Sequence, residues 1–419
     1  MSARMNQTRK RRTPLGLRGR LLGTMAVAAA WSVGFAGAAP AAVAVDAQSK
    51  QWYLESMRAE EMWKTTTGEG IKIAVIDTGV NSSTPSLKGQ VLKGLDATGA
   101  DGDETDDYNG HGTTMAELIV GTGRGGGLKG LAPGAKVIPM RVADTQFQNE
   151  NSVNTYDTAD SIRAAADSDA QIISMSFGSE FTMDREIRAA EYAHSKGKLF
   201  FSAVGNEAQK GNKPIYPAAY PEVVGVGATD RQGKVSETSQ HGDFVDIAAP
   251  GDDLPFWCDE NFERYCQGNG GTSSATAITS AAAALIWSAH PDWTANQVLN
   301  VLFDTAGRGD WEKGTLSNYL GHGIIRPAVN ILKGTGDPGD PDISPLTKEK
   351  TSGSAGSAAP SAPASSQPEK ETEADGAAVA GSSTERHDDS QLGLILGGAA
   401  VVLVLGGAAF ALVRKRRAA

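Results

Sequence analysis

Cysteine is scarce in this chain of 419 residues, which contains only Cys258 and Cys266. A structural zinc ion takes four ligands, usually thiolates and imidazoles, and no histidine lies near these two thiols in the sequence. The cysteine content therefore argues against a zinc site.

Positive charge is also scarce between the two ends of the chain. Eleven of the 39 Lys and Arg residues lie in the terminal segments 1–20 and 414–417, which leaves 28 against 49 acidic residues, a net charge of −21. A surface of this sign repels phosphate backbones and anionic lipid headgroups. We therefore expect no nucleic-acid partner.

Apolar segments flank the chain at both ends. Residues 1–20 carry seven basic residues and no acid, 21–39 are apolar, and Ala42-Val43-Ala44 is a possible cleavage site. Residues 1–44 are thus predicted to be a secretory signal peptide, with an uncleaved signal anchor as the alternative. The 22 uncharged residues 392–413 are long enough to span a hydrocarbon core of about 30 Å as a transmembrane helix.

The basic cluster Arg414-Lys415-Arg416-Arg417 places the tail 414–419 in the cytoplasm. The protein is therefore expected to be a single-pass cell-membrane protein whose central region faces outward. In that oxidising location a disulfide between Cys258 and Cys266 is expected, contributing about 2–3 kcal/mol through loop entropy.

Buried strands and helices alternate through the central region. Strands are predicted over 71–76, 136–142, 171–176, 199–204, 223–228 and 245–249, and helices over 157–166 and 183–196. Strands this apolar are buried on both faces, which indicates an α/β fold with a mainly parallel sheet and helices on each side. Ligands bind beyond the carboxyl ends of such strands, where Asp77, Asn206 and the loop after Ser176 lie.

Ser273 is the first candidate for a catalytic residue. It stands in Gly270-Gly271-Thr272-Ser273-Ser274-Ala275, ahead of an alanine-rich run that predicts a helix. A serine at such a turn exposes its hydroxyl, with its N–H at the positive helix end, which favours a developing oxyanion. The alternative is a helix N-cap, which Thr272, Ser273 or Ser274 could each provide.

An acid and a base accompany this serine. The strand 71–76 ends at Asp77-Thr78-Gly79, and Asn109-Gly110-His111-Gly112-Thr113 opens an apolar helix. The order Asp, His, Ser is that of the subtilisin family. The contexts Ile-Asp-Thr-Gly-Val, His-Gly-Thr and Gly-Thr-Ser-Ser-Ala resemble the three signature motifs of that family. From Gly68 to Leu332 the chain therefore resembles a subtilisin-like serine protease.

This resemblance implies a three-layer fold over 68–333 and a serine endopeptidase that needs no cofactor. Ser273 attacks a peptide carbonyl in such an enzyme, His111 accepts its proton, and Asp77 holds the imidazole. By the same resemblance Asn206 is the oxyanion-hole amide, with a turn-forming asparagine as the alternative. The remaining histidines lack the Gly-Thr context and are interpreted as surface or core residues, namely His194, His241, His290, His322 and His387.

The resemblance also implies a substrate-binding segment for protein or peptide substrates. It comprises Ser174, Met175, Ser176, Phe177 and Gly178, which align with a Ser-Leu-Gly segment of the family. Phe177 replaces the usual leucine. A peptide laid there as an extended strand gains main-chain hydrogen bonds.

Two stretches depart from the family pattern. Ala277 stands where a proline is usual, and Thr114-Met115-Ala116-Glu117 replaces histidine-valine-alanine-glycine. Neither change removes a catalytic atom, and both are expected to affect helix packing near the site.

The loop before His111 is crowded with carboxylates. Calcium prefers such ligands, but their spacing matches no calcium loop, so a solvated acidic loop without a metal is the favoured interpretation. The field of this loop favours the protonated form of His111. The acids are Asp101, Asp103, Glu104, Asp106 and Asp107.

Residues 45–67 are predicted to form an arm packed on the protease body, with a removable activation peptide as the alternative. This arm and the membrane tail resemble the mycosins, subtilases associated with type VII secretion systems, which implies a membrane secretion complex as partner. Residues 334–391 are rich in Gly, Ser, Pro, Ala and charge, which predicts a disordered linker.

Together these features predict a membrane-anchored extracytoplasmic serine endopeptidase. Two alternatives are a protease-fold scaffold that stabilises a secretion complex and a general cell-surface subtilase unrelated to type VII secretion.

Overall fold

The computed structural model describes residues 46–153, 157–268 and 270–351. Four predicted segments lie outside these ranges, namely the signal peptide, the transmembrane helix 392–413, the cytoplasmic tail 414–419 and the part of the linker beyond Thr351. Within the described ranges, no helix has both the length and the apolar character that crossing a membrane requires.

A parallel sheet forms the centre of the body. Its strands are β1 (Lys72–Asp77), β2 (Leu95–Asp96), β3 (Lys136–Arg141), β4 (Ile172–Met175), β5 (Leu199–Ala203), β6 (Val224–Thr229) and β7 (Ile247–Pro250). They lie in the order β2-β3-β1-β4-β5-β6-β7, and every neighbouring pair is parallel. The strands β2 and β3 lie on one side of β1 and β4 to β7 on the other, so the ligand crevice is expected at the carboxyl end of β1.

Nine α-helices lie within the described ranges, before, between and after the strands in chain order. They are α1 (Trp52–Ser56), α2 (Ala59–Met62), α3 (His111–Val120), α4 (Thr145–Asn151), α5 (Asp157–Asp167), α6 (Asp184–Ser195), α7 (Gly271–Ala289), α8 (Ala295–Thr305) and α9 (Pro327–Lys333).

The sheet buries side chains on both of its faces. On β1, Ile73 and Val75 join a core that contains α3 and α7, whereas Ala74 and Ile76 join a second core that contains α5 and α6. Alternate residues of a strand point to opposite faces, so an unbroken apolar run covers both. The predicted α/β fold with a mainly parallel sheet is confirmed.

A two-stranded hairpin follows β7 and leads into α7. Its strands β8 (Leu254–Trp257) and β9 (Tyr265–Gly268) are antiparallel, and Cys258 and Cys266 are joined by a disulfide at the end where the loop connects the two strands. We call residues 254–268 the disulfide hairpin. The predicted disulfide is thus present in the structure.

The segment 46–67 lies against the body. Tyr53 and Met62 are completely buried, and the Gln51 side chain both donates to the Lys129 carbonyl at 2.7 Å and accepts from the Lys129 amide at 2.8 Å. The Trp63 indole donates to the carbonyl of Leu131 at 2.8 Å. The arm is thus attached to the body by buried apolar side chains and by hydrogen bonds from its side chains to main-chain groups of the body.

Part of the segment predicted as a linker is packed. Residues 335–351, here called the C-terminal strap, cross α8, where Asn296 donates to the carbonyl of Pro341 at 2.9 Å and Asn300 donates to that of Pro338 at 3.1 Å. Ser344 is buried, and Leu346 packs against the main core. The prediction of disorder from Gly334 is therefore wrong for the strap, because side chains of α8 satisfy its carbonyl groups.

The disulfide generates a prediction about stability. Reduction is expected to lower the free energy of unfolding by about 2–3 kcal/mol, because the bond closes a loop with a sequence separation of 8 residues. Urea unfolding with and without reductant measures this difference. The double variant Cys258→Ser/Cys266→Ser serves as control and should not respond to reductant, and an equal response of both proteins would contradict the prediction.

Candidate active site

Three elements bring Asp77, His111 and Ser273 to the carboxyl edge of the sheet. Asp77 is the last residue of β1, His111 is the first residue of α3, and Ser273 lies in the first turn of α7. The apolar strand buries Asp77 almost completely, whereas about a third of the His111 side chain is exposed. Asp77 and His111 are thereby brought into contact, and Ser273 lies at the same edge of the sheet, where its hydroxyl donates to the carbonyl of Ser176.

Asp77 and His111 are directly hydrogen-bonded. Nδ1 of His111 lies 2.7 Å from Oδ1 of Asp77, which also accepts from the Thr78 amide at 2.8 Å. Because a carboxylate only accepts hydrogen bonds, Nδ1 carries the proton and Nε2 is the free base. This is the tautomer that can take a proton from a nucleophile.

A second buried carboxylate organises the start of α3. Oδ1 of Asp107 accepts from Thr78 Oγ1 at 2.7 Å and from the Gly110 amide at 2.9 Å, and Oδ2 accepts from the Thr113 amide at 2.8 Å. Thr78 Oγ1 in turn accepts from the Gly112 amide at 3.0 Å. Asp107 therefore ties the end of β1 to the helix that presents His111.

The sequence pattern does not reveal this role, because it predicts that Asp107 belongs to a solvated acidic loop. Its exposed fraction is 6%, so that interpretation is wrong for Asp107. The available signal was its position just before the helix, where a side-chain acceptor can satisfy free N–H groups of the first turn. Within the described ranges no group of three or more His, Cys, Asp or Glu side chains is arranged to hold a metal ion.

The electrostatic environment favours the charged imidazolium. Burial lowers the pKa of His111, but the carboxylates of Asp77, Asp107 and Asp144 raise it by more, so the pKa lies above its ordinary value of 6.5. The proton that His111 takes up during a reaction is thereby stabilised.

Two glycines allow close approaches that a side chain would block. A Cβ atom on Gly112 would lie 2.1 Å from the Gly79 carbonyl oxygen, and one on Gly271 would lie 2.5 Å from Oδ1 of Asn206. Gly271 also has a φ of +65°, which favours glycine. The His-Gly-Thr and Gly-Thr-Ser contexts therefore have a steric basis.

Ser273 is nearly buried, with an exposed fraction of 8%, and it is paired with Ser176. Its hydroxyl donates to the Ser176 carbonyl at 2.8 Å, and the Ser176 hydroxyl donates to the Ser273 carbonyl at 3.1 Å. These two bonds fix the start of α7 against the segment that follows β4. They also place the Ser273 hydroxyl beside the predicted substrate-binding segment.

Asn206 follows β5 and faces the same turn of α7. Its Oδ1 accepts from the Thr272 amide at 3.0 Å and from Thr272 Oγ1 at 3.1 Å. Because the amide oxygen is occupied in this way, the NH₂ group is left to donate to a ligand. The orientation of Asn206 is compatible with a donor in an oxyanion hole.

The predicted substrate-binding segment is only partly accessible. Ser174 and Met175 belong to β4, and their side chains are buried in the sheet. Ser176, Phe177 and Gly178 continue beyond the strand, and a Cβ on Gly178 would lie 2.3 Å from the Tyr216 carbonyl oxygen. Ser176 is also buried, with an exposed fraction of 5%, so only Phe177 and Gly178 of the predicted segment are accessible.

A cavity of about 600 Å³ lies beside His111. The disulfide hairpin forms part of its wall through Trp257, Cys258 and Asp259, and Ser274 of α7 also lines it. Its lining residues include carboxylates but no lysine or arginine. The sequence alone gave no indication of this wall, because the hairpin approaches α3 only in the fold.

The sequence of this chain is similar to those of known proteins. The sequence profile of the Subtilase family, Peptidase_S8, matches residues 68–323. Thermitase of Thermoactinomyces vulgaris is 33% identical over 279 residues, which cover 65% of this chain and 95% of thermitase. Mycosin-1 of Mycolicibacterium smegmatis is 32% identical over 331 residues, covering 67% of this chain and 72% of mycosin-1.

Solved structures agree with the sequence matches. The crystal structure of MycP1 from the ESX-1 type VII secretion system is similar with a TM-score of 0.60 and 28% identity, covering 70% of this chain and 88% of that chain. The predicted resemblance to subtilases, with mycosins among the similar proteins, is confirmed. Since the profile spans more than half of the 419 residues, this chain belongs to the subtilase family of serine proteases.

Proposed function

We propose that the chain hydrolyses peptide bonds through Asp77, His111 and Ser273. The observation that carries this proposal is the 2.7 Å contact between Nδ1 of His111 and Oδ1 of Asp77 at the sheet edge where Ser273 also lies. That contact leaves Nε2 as a base, which is what activation of a serine hydroxyl requires.

In the proposed reaction, Oγ of Ser273 attacks the carbonyl carbon of the scissile bond while its proton passes to Nε2 of His111. The oxyanion accepts hydrogen bonds from the Ser273 amide at the start of α7 and from the NH₂ group of Asn206. His111 then returns the proton to the leaving amine, so an acyl-enzyme forms. Water, deprotonated by His111, attacks that ester and regenerates Ser273.

Asp77 acts throughout by holding the imidazole in one tautomer and by stabilising its charged form. Asp107 supports this arrangement without touching the substrate, through Thr78 and the first turn of α3. The buried position of both carboxylates keeps their charges close to the imidazolium and away from screening solvent.

We further propose that the enzyme acts outside the cytoplasm while anchored in the membrane. The support is the signal-like segment 1–44, the uncharged segment 392–413 and the basic tail 414–419. The similarity to MycP1 from a type VII secretion system supports proteins handled at such a membrane complex as substrates. In this proposal the residues after the C-terminal strap, 352–391, are the linker between protease and membrane.

Catalysis by these residues is tested by single substitutions. Ser273→Ala is expected to abolish peptide hydrolysis and labelling by a fluorophosphonate probe. For Asn206→Ala we expect kcat to fall roughly 100- to 1000-fold, the range known for the corresponding amide of subtilisin rather than one derived from this structure. Steady-state kinetics measure both effects.

The matched control for these variants is Ser280→Ala, which removes a buried hydroxyl that donates to the Thr276 carbonyl within α7. It should keep near-normal activity. Hydrolysis by Ser273→Ala, or a loss below threefold in Asn206→Ala, would show that the roles are wrongly assigned.

The raised pKa of His111 leads to a prediction about pH. Activity requires neutral His111, so kcat/KM should rise with pH through a value above 6.5. Asp107→Asn removes one of the negative charges that raise this pKa, and the acid limb should move to lower pH. Asp103→Asn, an exposed acid of the same loop, is the control and should leave the limb in place. An unshifted limb in Asp107→Asn would contradict the electrostatic role.

The boundary of the soluble enzyme is the fourth prediction. A chain ending at Thr351 is expected to be soluble and to keep full peptidase activity, because it retains the C-terminal strap. A chain ending at Lys333 loses the contacts of Asn296 and Asn300 with the strap and should melt at a lower temperature. Equal melting temperatures would show that the strap contributes no stability.

In cells that lack the full-length protein, the soluble chain ending at Thr351 is expected not to restore substrate processing or secretion. A tether raises the local concentration of the enzyme at its membrane, and the soluble chain lacks it. Full complementation at matched expression would overturn the anchoring proposal while leaving the catalytic one intact.

A further inference from the structure

Two of the residues that depart from the family pattern lie on α3 and contact the disulfide hairpin. Oγ1 of Thr114 accepts from the Trp257 amide at 3.0 Å and donates to the Gly110 carbonyl at 2.7 Å. Glu117, on the same helix, contacts Tyr265 of β9. The helix that presents His111 is therefore bonded to both strands of the hairpin.

Glu117 is completely buried, yet both of its oxygens have partners. Oε1 accepts from Thr84 Oγ1 at 2.9 Å, and Oε2 accepts from the Tyr265 hydroxyl at 2.6 Å. Burial raises the pKa of Glu117 to about 7, against the opposing effect of these two hydrogen bonds. Removing the carboxyl group would take this acceptor away from the buried hydroxyl of Thr84 and from the partly buried hydroxyl of Tyr265.

The disulfide hairpin connects Glu117 to the cavity beside His111 through Tyr265 and Trp257. Tyr265 lies directly opposite Trp257 in the hairpin, and their rings stack with centroids 3.9 Å apart. Trp257 and the neighbouring Cys258 and Asp259 line the cavity. A displacement of Tyr265 must therefore move the cavity wall, whereas Ser273 and Asn206 belong to other elements.

We propose that Glu117 is a positioning residue that acts through Tyr265 to hold the disulfide hairpin as the wall of the polypeptide-binding cavity beside His111. This inference rests on the proposed function, because it assigns the cavity to the substrate of the same catalytic site. Glu117 does not touch the reacting atoms. Its effect is thus expected on the binding of a long substrate and not on the chemistry at Ser273.

The test compares a long substrate with a small probe. Glu117→Leu and Tyr265→Phe each break the contact, and Glu117→Gln keeps an acceptor and a donor for the two hydroxyls. For an unfolded polypeptide such as carboxymethylated casein, we expect KM to rise about tenfold in the first two variants, with kcat changed less than threefold. The rate of fluorophosphonate labelling of Ser273 should change less than twofold, and Glu117→Gln should restore KM to within threefold.

A matched control exists on the other face of the sheet. Glu186 of α6 is buried, has a pKa raised to about 7 mainly by burial, and lies 3.5 Å from the Tyr220 hydroxyl, but it does not line the cavity. Glu186→Leu and Tyr220→Phe should lower the melting temperature without changing KM. A purely structural effect would reduce labelling and hydrolysis together, because both follow the amount of folded protein.

The outcomes separate the two levels of the proposal. An unchanged KM in both Tyr265→Phe and Glu117→Leu overturns the positioning role, as does an equal change of KM in the Glu186 and Tyr220 variants. If Glu117→Leu does not fold, Tyr265→Phe, which removes a single hydroxyl, decides the matter. A wild-type chain that neither hydrolyses casein nor reacts with the probe overturns the catalytic proposal together with this one.

Discussion

The close approach of β1 and the first turn of α3 is the constraint on which the site depends. Gly112 sits so near the Gly79 carbonyl that no side chain fits between them, and Asp107 bonds to both elements. This short distance lets the carboxylate of Asp77, at the end of a buried strand, reach the ring of His111 at the start of α3. If β1 and α3 were farther apart, Asp77 and His111 could not form their 2.7 Å hydrogen bond.

Most of the fold follows from local sequence patterns. The central strands are continuous apolar runs, so their existence and parallel arrangement are predictable, and each lies within two residues of its expected bounds. The glycines beside His111 and Ser273 mark those residues in the sequence. For the same reason the place of Asp77 at the end of β1, of His111 at the start of α3 and of Ser273 at the start of α7 was predictable from three short motifs.

The rest depends on contacts between distant segments. Asp107 looks like one acid among five until the fold buries it against Thr78, and only its position just before α3 distinguishes it in the sequence. The C-terminal strap has the composition of a linker, and contacts with distant residues, among them the asparagines of α8, make it part of the body. Glu117 likewise appears as an irregularity of α3, because its partners Thr84 and Tyr265 come from separate parts of the chain.

The C-terminal strap ends at a defined place on the body. α7 is 19 residues long, about 28 Å, and Ser273 lies in its first turn. His290, just beyond its last residue, bonds to Asn330 of α9, and the strap ends with Thr351 bonded to Asn296 of α8. The strap therefore ends, at Thr351, near the end of α7 that is remote from the nucleophile. Loosening the strap would disturb the body about the length of one helix away from the turn that carries Ser273.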